Sequence, residues 1–299
     1  MDQWQIGDIS ITRVIEMEGP SFKAWQLLPE AGPEALDPHR DWLEPRFLEP
    51  ETNRLVLSFH AFVVKTTKHT ILIDTCVGND KQRSYKGWSG LQTRFLDNLV
   101  AAGTPPEDID FVLCTHMHVD HIGWNTRLLN GRWVPTFPNA KYIFSRDEWD
   151  HWKAMDDDAH AAGGFIDGSH IDSILPVEEA GQCLVVDRDY AIDDEIWLEP
   201  TPGHTAGHTS IHMSSKGQDA VVTGDMIHHP VQIVEPEWSS FACYDKPMSR
   251  STRRNFIDRY ADTNTLILGT HFVAPTVGHI VSNKENDHSE WKIKFLGDD

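Results

Sequence analysis

The chain has 299 residues, with 26 Lys plus Arg against 46 Asp plus Glu and a formal net charge of -20. That acid excess disfavours a nucleic-acid partner, whose phosphates must be met by clustered cations, and equally an anionic membrane surface. Apolar runs such as 111–114 and 220–222 fall far short of the about twenty residues a membrane span needs, and ordinary Gly and Pro usage sets aside collagen-like and disordered classes.

The start, Met1-Asp2-Gln3-Trp4-Gln5, carries neither the basic nor the apolar region of an export signal. The four cysteines (Cys76, Cys114, Cys183 and Cys243) are scattered with no CxxC pair, so the expectation is a cytoplasmic protein with reduced thiols. No low-complexity tract or linker divides the chain, which reads as a single domain over 1–299. The acidic run 156–158 with the small residues 161–164 reads as a mobile loop inside it.

In chain order, short β-branched runs at 9–15, 55–64 and 70–74 predict strands. A helix is predicted over 89–103, with Leu91, Phe95, Leu96, Leu99 and Val100 on one face and Gly103 as its stop. Strands at 110–115 and 141–144 follow. Ser145 and Glu148 then form a capping box that opens a helix through Trp149 and Trp152. Strands at 196–198, 209–213 and 220–223 precede an Arg-rich helix over 249–260, whose apolar side is Phe256, Ile257 and Tyr260, and a last strand at 265–268. Two of the strands are nearly continuous apolar runs, the pattern of burial on both faces. The expected architecture is an α/β sandwich with helices outside the sheets.

The chemistry is concentrated in Cys114-Thr115-His116-Met117-His118-Val119-Asp120-His121. In an extended segment residues i and i+2 point the same way, so His116 and His118 can bind one ion together. Asp120 and His121 come after the chain turns and face a second point. Imidazole and carboxylate suit Zn²⁺ and its first-row neighbours. Three further strands end in residues of the same kind: Pro202-Gly203-His204-Thr205-Ala206-Gly207-His208, Thr223-Gly224-Asp225 and Gly269-Thr270-His271. A lone His or Asp at a strand end is usually a solvated turn former. Four strands ending this way fit a site along one sheet edge.

In order and rough spacing, His116, His118, Asp120, His121, His204, Asp225 and His271 resemble the seven ligands of dinuclear metallo-β-lactamase superfamily hydrolases. The resemblance covers essentially the whole chain and implies the four-layer αβ/βα sandwich of that superfamily. It implies that His116, His118 and His204 hold one divalent ion, that Asp120, His121 and His271 hold another, and that Asp225 bridges them. Zn²⁺ is the default, while Mn²⁺, Fe²⁺ and Co²⁺ also suit such ligands. Asp74, at the end of the 70–74 strand, falls where the superfamily keeps an Asp that orients a ligand. The implied reaction is hydrolysis by a metal-bridging hydroxide. The catalytic candidates are Asp120, Asp225 and His228.

Within the superfamily, class B β-lactamases are usually exported and lack a bridging Asp at the matching position. RNA-processing members need basic elements that this chain lacks, and flavodiiron proteins need a flavodoxin domain for which there is no room. Persulfide dioxygenases and glyoxalase II enzymes tend to be shorter. The layout is most similar to the N-acyl homoserine lactonases and methyl parathion hydrolase. Those lactonases often carry a Tyr three residues after the bridging Asp. Here that position is His228, which can donate a hydrogen bond or act as a general acid.

The departure at His228 widens the expected substrates from acyl homoserine lactones to lactones, esters and phosphotriesters. A non-catalytic, ligand-binding member of the fold is the alternative from another class. Phe22, Trp25, Trp88, Trp124, Phe165, Trp238 and Phe241 fall in predicted loops. As pocket walls, together with His229 beside the site, they would favour a small neutral, partly apolar ester-like substrate. The competing reading is ordinary core or the interface of a homodimer.

Overall fold

A computed structural model describes residues 2–155, 167–283 and 290–297. They form two compact units: Met1–Met17 with Phe59–Tyr190, and Glu18–Ser58 with Ala191–Asp299. Phe165 and the predicted mobile loop at 156–164 lie outside the described residues.

Among the described residues, the larger sheet has eight strands: Gln3–Ile6, Ile9–Lys23, Arg54–Lys65, Thr70–Ile73, Phe111–Leu113, Lys141–Ser145 and Cys183–Val186 in spatial order, with Leu48–Glu49 beside Arg54–Lys65. The last four of the main path are mutually parallel, with Leu72 level with Val112 and Val112 level with Tyr142. Ile71, Leu72, Ile73, Val112 and Leu113 are buried, as apolar runs covered on both faces must be. The first unit's core gathers Val63, Leu72, Val112 and Tyr142 of the sheet with Phe95, Leu99, Trp124, Trp152 and Val177.

The predicted helix over 89–103 is shorter, Phe95–Ala101. Its expected first turns are taken by tertiary hydrogen bonds: the Thr93 amide donates to Asn79 Oδ1 at 2.7 Å and the Gln92 amide group to Asp80 Oδ1 at 2.6 Å. Val100, expected on the apolar face, is exposed. The capping-box helix forms as Arg146–Lys153, with Ser145 Oγ accepting from the Glu148 amide at 3.3 Å.

Among the described residues of the second unit, six strands lie in the order Ile196–Pro200, Thr209–Ser215, Gln218–Val222, Leu266–Leu268, Val277–Ser282 and Trp291–Phe295. Only the pairing of Gln218–Val222 with Leu266–Leu268 is parallel; the other pairs are antiparallel. The strands Ile196–Pro200, Gln218–Val222 and Leu266–Leu268 therefore run the same way and end at one edge of this sheet. The helix Lys246–Tyr260 begins three residues before the predicted start, because Asp245 accepts from the Met248 amide at 2.9 Å and Pro247 occupies the first turn. Val277–Ser282 and the edge strand Trp291–Phe295 beside it add to the strands expected from the sequence. Among the described residues no helix is long and apolar enough to cross a membrane.

Candidate metal centre

In the first unit, Asp74 follows the strand Thr70–Ile73 and the His-rich loop follows Phe111–Leu113, so both lie at the C-terminal ends of parallel strands. Asp74 has φ 58, a left-handed conformation that costs a non-glycine residue about 1–2 kcal/mol. Its carboxylate repays the strain by gripping the loop. It accepts from the Thr115 amide at 2.8 Å, from Thr115 Oγ1 at 2.9 Å and from His121 Nδ1 at 3.0 Å. A carboxylate only accepts, so the His121 proton sits on Nδ1 and its Nε2 lone pair faces away.

Thr115 Oγ1 donates to Asp74 and lies 3.1 Å from His116 Nδ1, which fixes the same tautomer in His116. His116 Nε2 and His118 Nδ1 are then 3.0 Å apart. Nitrogens ligating one tetrahedral ion at about 2.0–2.1 Å would be roughly 3.3 Å apart, so this spacing fits a shared cation. His121 Nε2 stands 3.7 Å from Asp120 Oδ2. All four side chains are at most 7% exposed, a costly burial unless they are ligands or ion pairs.

Two carboxylates that sequence reasoning did not place at the site also hold this loop. Glu148 Oε1 accepts from the Met117 amide, between His116 and His118, at 2.9 Å and from Trp152 Nε1 at 2.7 Å. The Trp152 ring meets His118 edge-on, 6.0 Å between centroids. Glu16 accepts from Val77 N at 2.8 Å, Gly78 N at 3.1 Å and Trp124 Nε1 at 2.6 Å. Burial pushes its carboxyl above the usual range, against the pull of those donors. A Cβ at Gly123 would come within 1.9 Å of Val77 O, so the close pass of the two loops requires glycine there. Glu148 was legible only as a capping residue; Glu16 left no local signal.

In the second unit, His204, Asp225 and His271 follow the three strands that end at one edge. The Asp225 carboxylate is ringed by imidazoles. His204 Nε2 is 3.3 Å and His228 Nε2 3.2 Å from Oδ2, and His271 Nε2 is 3.0 Å from Oδ1. His271 Nδ1 donates to Ser58 O at 3.1 Å, leaving its Nε2 lone pair toward Asp225. His204 Nδ1 faces Cys243 Sγ at 3.5 Å, and burial pushes that thiol's pKa up. The Asp225 amide donates to His208 Nε2 at 2.9 Å, a contact for which the His208 of the predicted loop had no assigned role. Gly203 has φ 126, and a Cβ there would meet Ser249 N at 2.3 Å.

Of the remaining candidates, His228 is buried, its Nδ1 has no hydrogen-bond partner among the described residues and its amide donates to Gln232 Oε1 at 2.7 Å. His229 turns the other way. Its Nε2 donates to Phe47 O at 2.9 Å and its Nδ1 accepts from Val231 N at 3.3 Å, and burial lowers its pKa to about 4. Trp124 lies in the first unit's core, stacked on Phe95 with centroids 5.7 Å apart, and Trp88 packs edge-on against Phe59.

Phe22 and Trp25 are half-buried, Trp238 is buried and Phe241 is exposed. The Phe241 amide donates to Leu27 O at 2.9 Å, so the segments bearing Trp25 and Phe241 adjoin. The four cysteines are free thiols.

The donor chemistry fits divalent ions. His116 and His118, and likewise Asp120 and His121, offer ligand atoms within 4.8 Å of each other; so do His204 and Asp225, and Asp225 and His271. Residues 57–271 match the metallo-β-lactamase superfamily. The chain belongs to that superfamily.

The N-acyl homoserine lactonase AttM of Rhizobium radiobacter is 30% identical over 116 residues, covering 39% of this chain and 40% of that one. The chain thus spans about two fifths of that relative's length. Among solved structures, the hydrolase AbOPH of the β-lactamase superfamily is 25% identical, with a TM-score of 0.80 over 98% of this chain and 96% of that one. AidC, a dizinc quorum-quenching lactonase in complex with its product, is 19% identical with a TM-score of 0.77 over the same shares. The fold is therefore the α/β metallo-β-lactamase fold.

Proposed function

We propose that the chain is a hydrolase that binds two divalent metal ions and opens lactones or cleaves esters. The observation that carries the reading is the ring of imidazole Nε2 atoms about the Asp225 carboxylate, with spacings of 3.0–3.3 Å. The matching arrangement of tautomers at His116 and His121 supports it. Following the superfamily's order, His116, His118 and His204 would hold one ion, Asp120, His121 and His271 the other, and Asp225 both. Zn²⁺ is the default, since imidazole and carboxylate suit it. Bound ions would supply Lewis acidity and acidify water to near neutrality.

The chain's own groups then have defined tasks. Asp74 keeps the His121 proton on Nδ1, and Ser58 O does the same for His271, so each presents Nε2 as a ligand. His228 Nε2 lies 3.2 Å from Asp225 Oδ2 and would serve as a hydrogen-bond donor to the substrate oxygen. The adjoining segments with Trp25 and Phe241 would face the apolar part of a neutral substrate.

The test is pH-stat hydrolysis of a panel of lactones, aryl esters and neutral phosphotriesters, with and without a chelator. Lactone or ester turnover abolished by the chelator and restored by Zn²⁺ is the expected result. Turnover of phosphotriesters alone would keep the metal site and replace the substrate class. Tight lactone binding without ring opening would make the chain a binding member of the fold. Hydrolysis indifferent to the chelator would overturn the metal reading.

A further inference from the structure

The helix Lys246–Tyr260 carries Arg253, the largest fully buried side chain among the described residues. A buried guanidinium ordinarily meets a carboxylate, but the hydrogen bonds found for this one go to neutral oxygens. Nε donates to Pro236 O at 2.9 Å, one terminal nitrogen to Met226 O at 2.8 Å and Ser249 Oγ at 3.4 Å, and the other to Trp238 O at 2.8 Å and Ser239 Oγ at 3.2 Å. Burial pulls its pKa down to about 10, so the charge is kept at neutral pH against a desolvation penalty.

What that penalty secures is visible in the partners. Met226 directly follows Asp225. Trp238 O also accepts from Gln232 Nε2 at 2.9 Å, and Gln232 Oε1 accepts from the amides of His228 at 2.7 Å and His229 at 3.3 Å. Ser249 Oγ lies 3.4 Å from Cys243 Sγ, which faces His204 Nδ1. One planar cation thus ties the residue after Asp225, the loop that carries His228, and the thiol behind His204 to a single helix.

We infer that Arg253 is the positioning residue of this half of the metal centre, setting where Asp225 and His228 stand through the carbonyls of Met226 and Trp238, with Gln232 as its relay. The inference rests on the reading of Asp225 as a metal ligand. A lysine cannot replace it, because one ammonium cannot reach Pro236 O, Met226 O and Trp238 O together.

The test uses Arg253→Lys and Gln232→Leu in the full chain, stripped of metal and titrated with Co²⁺, whose visible absorption reports ligand geometry. Circular dichroism and thermal unfolding of the metal-free proteins are recorded in parallel. For folded Arg253→Lys the expected result is an altered Co²⁺ spectrum and affinity reduced about 10- to 100-fold, with kcat falling more than KM changes. Gln232→Leu should shift both in the same direction by less.

A folded Arg253→Lys with the wild-type spectrum and affinity would overturn the inference and leave the metal reading intact. Should Arg253→Lys not fold, an unchanged Co²⁺ spectrum in Gln232→Leu would overturn it instead. Wild-type protein that takes up no Co²⁺ would defeat the metal reading, and the inference with it.

Discussion

The loop from Thr115 to Trp124 is held through its donors. Asp74 takes the Thr115 amide, Glu148 the Met117 amide and Glu16 the Trp124 indole, all three carboxylates being buried. The loop from Met226 to Ser239 is held chiefly through its acceptors, by Arg253 on the carbonyls of Met226, Pro236 and Trp238, while Gln232 donates to Trp238 O and accepts from the His228 and His229 amides. The difference follows from which backbone groups each loop turns inward, since a buried amide needs an acceptor and a buried carbonyl a donor. It also has an electrostatic consequence. The carboxylates that hold the first loop add negative potential that favours a nearby cation, whereas Arg253 opposes one. Its presence is therefore justified by geometry, a rigid fork reaching several carbonyls at once.

The comparison breaks most sharply at the ligands themselves. His116→Ala in the first unit and Asp225→Ala in the second should each lower metal-dependent hydrolysis by about 10³-fold or more, measured as kcat/KM alongside metal content. Equal losses from both would place the two loops in one working centre; full activity in either variant would remove that residue from it.

Next in size is Asp74→Asn. The amide keeps one acceptor but sets an NH₂ against Thr115 or His121, so metal affinity should fall about 10- to 100-fold. Folding stability should drop by about 1–3 kcal/mol, read by chelator competition and urea unfolding.

The two regions also titrate in opposite senses. His229 has its pKa lowered to about 4 from 6.5. In the folded state it stays neutral while the unfolded chain takes up a proton, so its contribution is full above pH 6.5 and is lost as pH falls toward 4. The loss amounts to roughly 3 kcal/mol. The stability difference between wild type and His229→Asn should therefore shrink as pH drops through that window.

Glu16 behaves the other way. Its carboxyl is raised above 4.5 by burial, so the folded state binds the proton more tightly than the unfolded chain. That stability is present below pH 4.5 and is lost as pH rises through the folded value. Glu16→Gln, which sets an amide against the Val77 N–H, should cost about 1 kcal/mol at low pH and less at pH 7.

How much of this was legible in the sequence depends on whether a residue's role is local. His116, His118, Asp120 and His121 announce themselves because their spacing along one turn is itself the chemistry, and Asp74, His204, Asp225 and His271 because strand ends can be read from composition. Glu16, Gln232 and Arg253 could not be read this way. Their partners are main-chain groups up to sixty-two positions away, as for Glu16 and Gly78, and any sequence supplies such groups everywhere. Arg253 looked like one more cation on a polar helix, yet it is wholly buried. The helix over 89–103 was overextended for the same reason. Periodicity continued through Leu91, but the Thr93 amide was already taken by Asn79.

The most direct test of the central claim is the metal content of the purified chain after chelation and reconstitution with Zn²⁺, by elemental analysis. The account predicts close to two ions per wild-type chain and a marked fall in Asp225→Ala. A wild-type chain that retains essentially no metal would contradict it.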